Sequence, residues 1–358
     1  MTAYFMEAQD VLFFRDGRPF NAGDDHHAVS RFPPPPSVIQ GVIRSHYLVH
    51  KGIPLEKDKI RQAVGDAENF NGLRLSAPLL ARREPDGRLT RFFPTPADAC
   101  LSDDGQHIRA RQMVSFRQHS HAARGLTHLL VSPPNSKPQK GDLGGYLDES
   151  SFQAYFFNGQ AVATVKAGQL FQREVRVGIA LDAARRSTES GKLYEAEFIR
   201  PQEGVGIWVE MDGYPDFPEQ GVMRAGGEGR ALRYGSVARQ EFAVQLGWKT
   251  DQPLPSNFKV YFASPAYFEE GWKPKDWGVF FDGQVELVTA AIGGYEVIGG
   301  YDLLEGKQKP AARWLPAGSV FYFRSQGGVR LKSAALTGRG AEIGYGQVVI
   351  GAWQPVDA

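Results

Sequence analysis

Glycine, proline and short β-branched or aromatic runs alternate along this chain, and few long stretches carry apolar residues at a 3.6-residue period. That pattern predicts a sheet-rich protein with few helices. Strands are expected at residues 4–14, 73–82, 89–93, 173–180, 193–199, 205–211, 259–263, 285–291, 319–323 and 346–353, where alternation or β propensity is densest. The clearest helix opens at Ser37, because Pro33 to Pro36 form a stiff extended lead-in and Ser37-Val38-Ile39-Gln40 fits a capping box. It is expected to run to His50 and end near Gly52. A second, polar helix is expected over 56–67 and a third over 275–281, whereas 132–145 and 218–229 are rich in turn formers and read as loops. A strand, a helix and then several strands occur once in each half. The arrangement fits an α+β protein of two ferredoxin-like β-α-β-β-α-β units, 1–203 and 204–358, with long loop and hairpin insertions.

The first helix has two faces. Ser37, Gln40 or Gly41, and Arg44 fall at i, i+3/4 and i+7 on a polar side, while Val38, Ile39, Val42 and Ile43 cover the other. A glycine at mid-helix costs about 1 kcal/mol against alanine. Gly41 therefore implies a close approach by something, either a neighbouring strand or a nucleic-acid backbone.

Composition narrows the class. At 358 residues with 42% hydrophobic and 23% charged residues, the chain is a folded protein too long for one ordinary core. No apolar stretch is long enough to span a bilayer, the first residues lack a basic segment followed by an apolar one, and Cys100 is alone. A cytoplasmic protein without disulfide, cysteine-rich zinc site, membrane contact or cofactor is expected. The net charge of +1 does not by itself mark a nucleic-acid binder. Its distribution says more: 27 of the 41 basic residues are arginine, the side chain that grips phosphate with two parallel hydrogen bonds and stacks on bases. Nine arginines and three histidines against five acids lie between Arg74 and Arg124.

The stretch from Ala335 to Ile350 holds four glycines, Gly338, Gly340, Gly344 and Gly346, with Arg339 among them and a β-branched run after. Clustered glycines reach φ > 0 and let another backbone approach, and arginine adds a phosphate-matching fork. The spacing fails the dinucleotide fingerprint and the P-loop, and a strand follows where those motifs need a helix. Glycines before a strand are otherwise turn and bulge residues.

Several ordered segments carry a resemblance. Phe14-Arg15-Asp16-Gly17-Arg18-Pro19-Phe20 and Pro34-Pro35-Pro36-Ser37-Val38-Ile39-Gln40-Gly41-Val42-Ile43-Arg44-Ser45 are followed by Val177-Gly178-Ile179-Ala180-Leu181-Asp182. Ser190-Gly191-Lys192-Leu193-Tyr194, Phe198-Ile199-Arg200-Pro201, Pro316-Ala317-Gly318-Ser319-Val320 and the glycine-rich tail complete the set. Together they resemble the third Cmr subunit, a RAMP protein of type III-B CRISPR effector complexes. The resemblance implies two RRM-like domains, binding of the repeat-derived 5′ tag of the CRISPR RNA, contacts to the large polymerase-like subunit and to the first backbone subunit, and no catalysis in this subunit. Two segments depart from the family: Arg185-Arg186-Ser187 stands where Thr-Arg-Thr is usual, and Gly299-Gly300-Tyr301-Asp302 where Gly-Gly-Trp-Asp is.

A single-stranded tag is held by phosphate contacts from arginines and backbone amides, with splayed bases stacked on aromatic rings or arginine planes. The expected RNA-binding residues are Arg15, Arg18, Ser37, Gln40, Gly41, Arg44, Arg185, Arg186, Gly338, Arg339, Gly340, Gly344, Tyr345 and Gly346, with the loop Gly226-Gly227-Glu228-Gly229-Arg230 as a further candidate. Enzyme alternatives are less well supported. His46 and His50 share the i, i+4 spacing of zinc ligands but lack the following glutamate and a third ligand. The alternatives to an RNA-binding subunit are a RAMP-type nuclease using a histidine such as His26, His27 or His46 as general acid or base, and a β-rich carbohydrate-binding or scaffold protein.

Overall fold

The computed structural model describes residues 1–15, 27–115, 125–134, 136–137, 143–182, 187–302 and 304–354. The chain is mostly β-sheet, with three α-helices among the described residues. The elements that organise it are β1 (Thr2–Ala8), α1 (Pro36–His50), α2 (Lys57–Val64), β2 (Leu79–Arg83), α3 (Glu149–Phe156), β3 (Phe171–Asp182), β4 (Ser187–Pro201), β5 (Val205–Asp212), β6 (Gln220–Arg224) and β7 (Ala231–Val237). They continue with β8 (Asn257–Phe262), β9 (Val285–Ala291), β10 (Glu296–Asp302), β11 (Lys307–Trp314), β12 (Val320–Ser325) and β13 (Val348–Ala352). No helix of the described residues is long and apolar enough to cross a membrane.

Two compact units divide the chain, each drawn from three segments: Met1–Leu89, Gly168–Arg239 and Val297–Ala312 in the first, and Thr90–Ala167, Gln240–Glu296 and Arg313–Ala358 in the second. Residues 203 and 204, which flank the boundary expected from sequence, both lie in the first.

In the first unit the strands run β2-β5-β1-β7-β6, all antiparallel. Counting only β1, β2, β5 and β7, the order is fourth, first, third, second. Val209 of β5 faces Tyr4 of β1, and Ser236 of β7 faces it from the other side. Tyr4, Phe5, Met6, Ile207, Trp208 and Val209 are buried, as central strands covered on both faces require. The β3–β4 hairpin stands apart from this sheet, paired along its length and joined in parallel by the short strand His27–Ala28.

The second unit repeats the order. Its sheet runs β9-β12-β8-β13, antiparallel throughout, so β8, β9, β12 and β13 again lie fourth, first, third, second. Phe258, Val260, Phe262, Phe321 and Phe323 pack into one core on one face. On the other face Tyr261 meets Phe152 of α3 edge-on at 4.7 Å.

Several local expectations change. Pro36 occupies the first helical position, so α1 starts one residue early with Pro35 as its cap, and Ser37 sits inside the helix instead of capping it. The third expected helix is a 3₁₀ turn, Trp277–Val279, capped by the Asp276 carboxylate, which accepts from Gly278 N at 2.8 Å. Strand β6 occupies residues 220–224 of the expected loop 218–229, and α3 is a helix that the sequence reading does not include. Asp148 caps α3, accepting from Ser151 N at 2.8 Å, a signal that Asp148-Glu149-Ser150-Ser151 carried in the sequence.

Candidate nucleic-acid interface

The polar face of α1 is built inward. Gln40 is buried, 5% exposed, and with its amide oxygen toward Arg44 it accepts from Arg44 Nε at 3.2 Å and Nη1 at 2.7 Å. Arg44 Nη1 also donates to the Asp66 carbonyl at 2.9 Å, and the guanidinium lies 5.9 Å from the Phe70 ring. Burial draws the Arg44 pKa below the usual guanidinium range, offset by nearby Tyr214, Asp66 and Asp302. This pair therefore ties α1 to the segment after α2, and neither side chain is a free phosphate ligand. A Cβ built on Gly41 meets nothing within 4 Å, so no strand among the described residues explains that glycine, and the helix backbone beside half-exposed Ser37 is open to them there.

Arg15 has a different setting. The segment after Val11 returns beside residues 30–31, with Arg15 bridged to Ser30 and Arg31 N donating to the Phe14 carbonyl at 2.9 Å. Exposed Arg15 lines a cleft of about 630 Å³ in the first unit. The cleft is walled by Phe13 and Phe14, by Pro35 and Val38 at the start of α1, by Gly226, Gly227 and Glu228, and by Val297 to Tyr301 with Lys309 from the β10–β11 hairpin. Arg31 Nη1 donates to the Val297 carbonyl at 2.8 Å, tying that hairpin to the 30–31 segment. Tyr301, 59% exposed, lines the same cleft as three cationic side chains, Arg15, Arg31 and Lys309, and the backbone of Gly299 and Gly300. Cations, an exposed ring and bare backbone in one groove suit an unpaired nucleotide.

The glycine-rich tail occupies the crossover from β12 to β13 in the second unit, which holds a short 3₁₀ turn, Ala341–Ile343. Gly340, Gly344 and Gly346 have φ of 68°, 94° and 62°. Two of them are also pressed against their own chain: a Cβ on Gly346 would lie 2.5 Å from Thr337 Cβ, and one on Gly340 would lie 2.7 Å from Tyr345 Cδ2. Tyr345 corrects the sequence expectation. It is 3% exposed and packs on Trp314, the rings tilted by 31° with centroids 4.4 Å apart, so it plugs the core and presents no face to a base. Gly344 and Gly346 are buried as well, which leaves Gly338, Arg339 and Gly340 as the surface part of the array. Gly338 N donates to the Tyr267 carbonyl at 2.8 Å, and the Arg339 guanidinium lies 4.0 Å from the centre of the Tyr267 ring.

Arg18, Arg185 and Arg186 lie outside the described residues. Of the remaining expected residues, Arg15, Ser37, Gln40, Gly41 and Arg44 belong to the first unit and the tail residues to the second. Arg230 is engaged in ion pairs with Asp10 and Glu228. Tyr301, Lys309 and Arg31 were not expected as site residues. The signal for Tyr301 was the Gly299-Gly300-Tyr301-Asp302 segment, noted only as a departure from a family pattern. His46 and His50 stack with centroids 6.5 Å apart, and among the described residues no three His, Cys, Asp or Glu side chains are grouped to hold a metal ion.

Comparison with known proteins places the chain. The family described as CRISPR-associated protein (Cas_Cmr3) matches residues 4–353, nearly the whole length, and the chain belongs to that family. No curated protein matches it. Among solved structures, it is similar to a chain of the type III-B Cmr-beta complex bound to cognate target RNA and AMPPnP, at 14% identity, covering 89% of this chain and 86% of the other, with a TM-score of 0.49. A chain of the type III-B Cmr-beta complex bound to cognate target RNA gives 15% identity, the same coverages and a TM-score of 0.46. A chain of the Csm3-Csm4 subcomplex of the type III-A CRISPR-Cas interference complex gives 12% identity, 99% and 100% coverage and a TM-score of 0.37.

Proposed function

We propose that this chain is a non-catalytic, cytoplasmic subunit of a type III-B CRISPR (Cmr) effector complex, that it binds the repeat-derived 5′ tag of the CRISPR RNA, and that it joins the large polymerase-like subunit to the first backbone subunit. Family membership supports the place in the complex. The observation that carries the RNA role is the cleft of the first unit, where Arg15, the start of α1, the glycine loop at 226–228 and Tyr301 of the β10–β11 hairpin meet. Phosphates fit the cationic side chains and the glycine backbone, and an unstacked base fits the Tyr301 face. Arg339 with Gly338 supplies a second phosphate contact on the other unit. Both units are ferredoxin-like in this reading, supported by the shared strand order, with α1 and α2 in the first crossover of the first unit and a hairpin or 3₁₀ turns in place of the other crossover helices.

The test is whether the full chain, purified from cells that express a CRISPR array, retains a short RNA, judged by its absorbance at 260 against 280 nm and by sequencing what is released. A retained RNA beginning with repeat sequence is expected, intact after incubation. An RNA-free protein, or one that cuts the repeat, overturns the reading.

A further inference from the structure

The wall of the cleft at residues 226–228 is held by its own backbone turn and by Phe13, itself a cleft residue. Ala225 N donates to the Arg230 carbonyl at 2.8 Å and Arg230 N to the Gly227 carbonyl at 3.3 Å, which closes a tight loop. Gly227 N donates to the Phe13 carbonyl at 2.8 Å, and a Cβ on Gly226, whose φ is 76°, would lie 2.2 Å from that same oxygen. Only glycine lets the loop sit so close to Phe13. Between these glycines and Gly229 stands Glu228 with φ of 55°, a left-handed conformation that side chains other than glycine keep only under constraint.

The Arg230 side chain lies beside Glu228. Its Nη2 is 3.8 Å from Glu228 Oε2, its Nη1 is 3.4 Å from Asp10 Oδ2, and its guanidinium lies 4.8 Å from the centre of the Phe198 ring. Phe198 in turn packs on Phe13 at 5.0 Å, the residue under the loop. The network extends away from the cleft. Asp10 also accepts from Arg200 Nη1 at 3.1 Å, and Glu174 accepts from Arg200 Nε at 2.9 Å and from Arg176 Nε at 2.8 Å. Three arginines and three carboxylates thus pair among themselves from the base of the β3–β4 hairpin to the cleft wall. Arg230 is itself 22% exposed, and its Nε is buried without a hydrogen-bond partner among the described residues.

We propose that Arg230 is a positioning residue for the cleft: through Asp10, Glu228 and Phe198 it holds the 226–228 wall in the shape that receives the RNA backbone, without touching RNA itself. The proposal rests on the assignment of the cleft to RNA. It differs from a direct contact in one measurable way. A side chain that neutralises a phosphate contributes to the salt dependence of binding, whereas a residue that only shapes the wall changes affinity at constant salt dependence.

The test titrates the full chain into a fluorescein-labelled single-stranded RNA of repeat sequence, by fluorescence anisotropy over a range of salt. Arg230→Gln is expected to weaken binding about tenfold, the scale of effects transmitted through a packed network. The slope of log affinity against log salt should stay as in the wild type. Arg15→Ala, a direct contact, should instead shallow that slope by about 0.7. Arg230→Lys, which keeps the charge but replaces the two-armed fork by a single ammonium, should recover only part of the affinity. Asp10→Asn gives a milder version of the same change, and its effect should vanish in the Arg230→Gln background; it decides the matter if Arg230→Gln does not fold. Wild-type affinity in Arg230→Gln and Asp10→Asn overturns the proposal and leaves the RNA reading standing. A slope made shallower by Arg230→Gln overturns it too, by making Arg230 a direct contact. A wild type that binds no RNA removes both.

Discussion

The guanidinium of Arg339 lies over the Tyr267 ring at 4.0 Å, on the exposed end of an otherwise buried glycine array. An exposed cation–π pair is worth only about 0.5–1 kcal/mol, so Arg339→Ala should leave the melting temperature near the wild-type value. A charged contact to a phosphate is worth about 1.5–3 kcal/mol, so the same substitution should weaken tag-RNA binding about tenfold or more. Unchanged anisotropy titrations would take the tail out of the site.

Gly340→Val belongs to stability more than to recognition. Its φ of 68° disfavours a branched side chain, and the Cβ would strike Tyr345. Tyr345→Ala should be worse, because removing a buried ring of this size costs about 3–5 kcal/mol. Thermal denaturation should show both losses in the absence of RNA. A Gly340→Val protein that melts like the wild type but binds RNA poorly would return that glycine to the interface.

Arg44 should not behave as a phosphate contact. Its hydrogen bonds go to Asp66 and Gln40, so Arg44→Ala is expected to lower the melting temperature while leaving the salt slope of RNA binding unchanged. For a single strand held by three or four phosphate contacts that slope is roughly −2 to −3. A slope shallower by one contact in Arg44→Ala would show that the helix face opens to RNA on binding.

The second unit should weaken in alkali. Tyr155 and Tyr322 donate to buried Asp98 at 2.9 and 2.5 Å, and Tyr261 donates to the Pro94 carbonyl at 2.7 Å. Burial first, then Asp98 for Tyr155 and Tyr322 and Tyr146 followed by Asp98 for Tyr261, pushes all three phenols well above their ordinary value. A phenol with a raised folded pKa keeps its proton after the unfolded chain has lost it, so its contribution is complete below about pH 10 and is lost as pH rises beyond. Lys259, whose pKa burial lowers, acts in the opposite sense but is one group against three. The melting temperature should therefore fall steeply above about pH 10, and Tyr322→Phe should make the fall shallower by one proton, about 1.4 kcal/mol per pH unit. A flat profile to about pH 11 would contradict this.

His46 Nε2 lies 2.8 Å from the Tyr234 hydroxyl, and burial, with His50 nearby, draws its pKa down. That pairing ties α1 to β7. Repeat RNA incubated with the wild type, or with His26→Ala, His27→Ala or His46→Ala, should stay intact on a denaturing gel. Specific cleavage by the wild type that one variant abolishes would favour the nuclease alternative.

Much of this protein is local, and the chain itself determined it. β-branched and aromatic runs marked most of the strands that order the two sheets, because strand propensity and burial act on neighbouring residues whatever their distant partners. Pro33 to Pro36 announced α1 to within one residue, since a missing N–H and a fixed φ act at the first turn. Family membership was likewise written in ordered motifs. Long-range pairing decided the rest. Each unit is stitched from three segments, which no boundary along the sequence can express. Helical spacing put Gln40 and Arg44 on one face, but only packing against residues 66–70 turned that face inward. Tyr345 between two glycines had no stated surroundings until Trp314 covered it. The cleft is the plainest case: Arg15, Gly227 and Tyr301 are far apart in sequence, and they line one groove because backbone hydrogen bonds to Phe13 and Phe14, and Arg31 on Val297, draw three segments together.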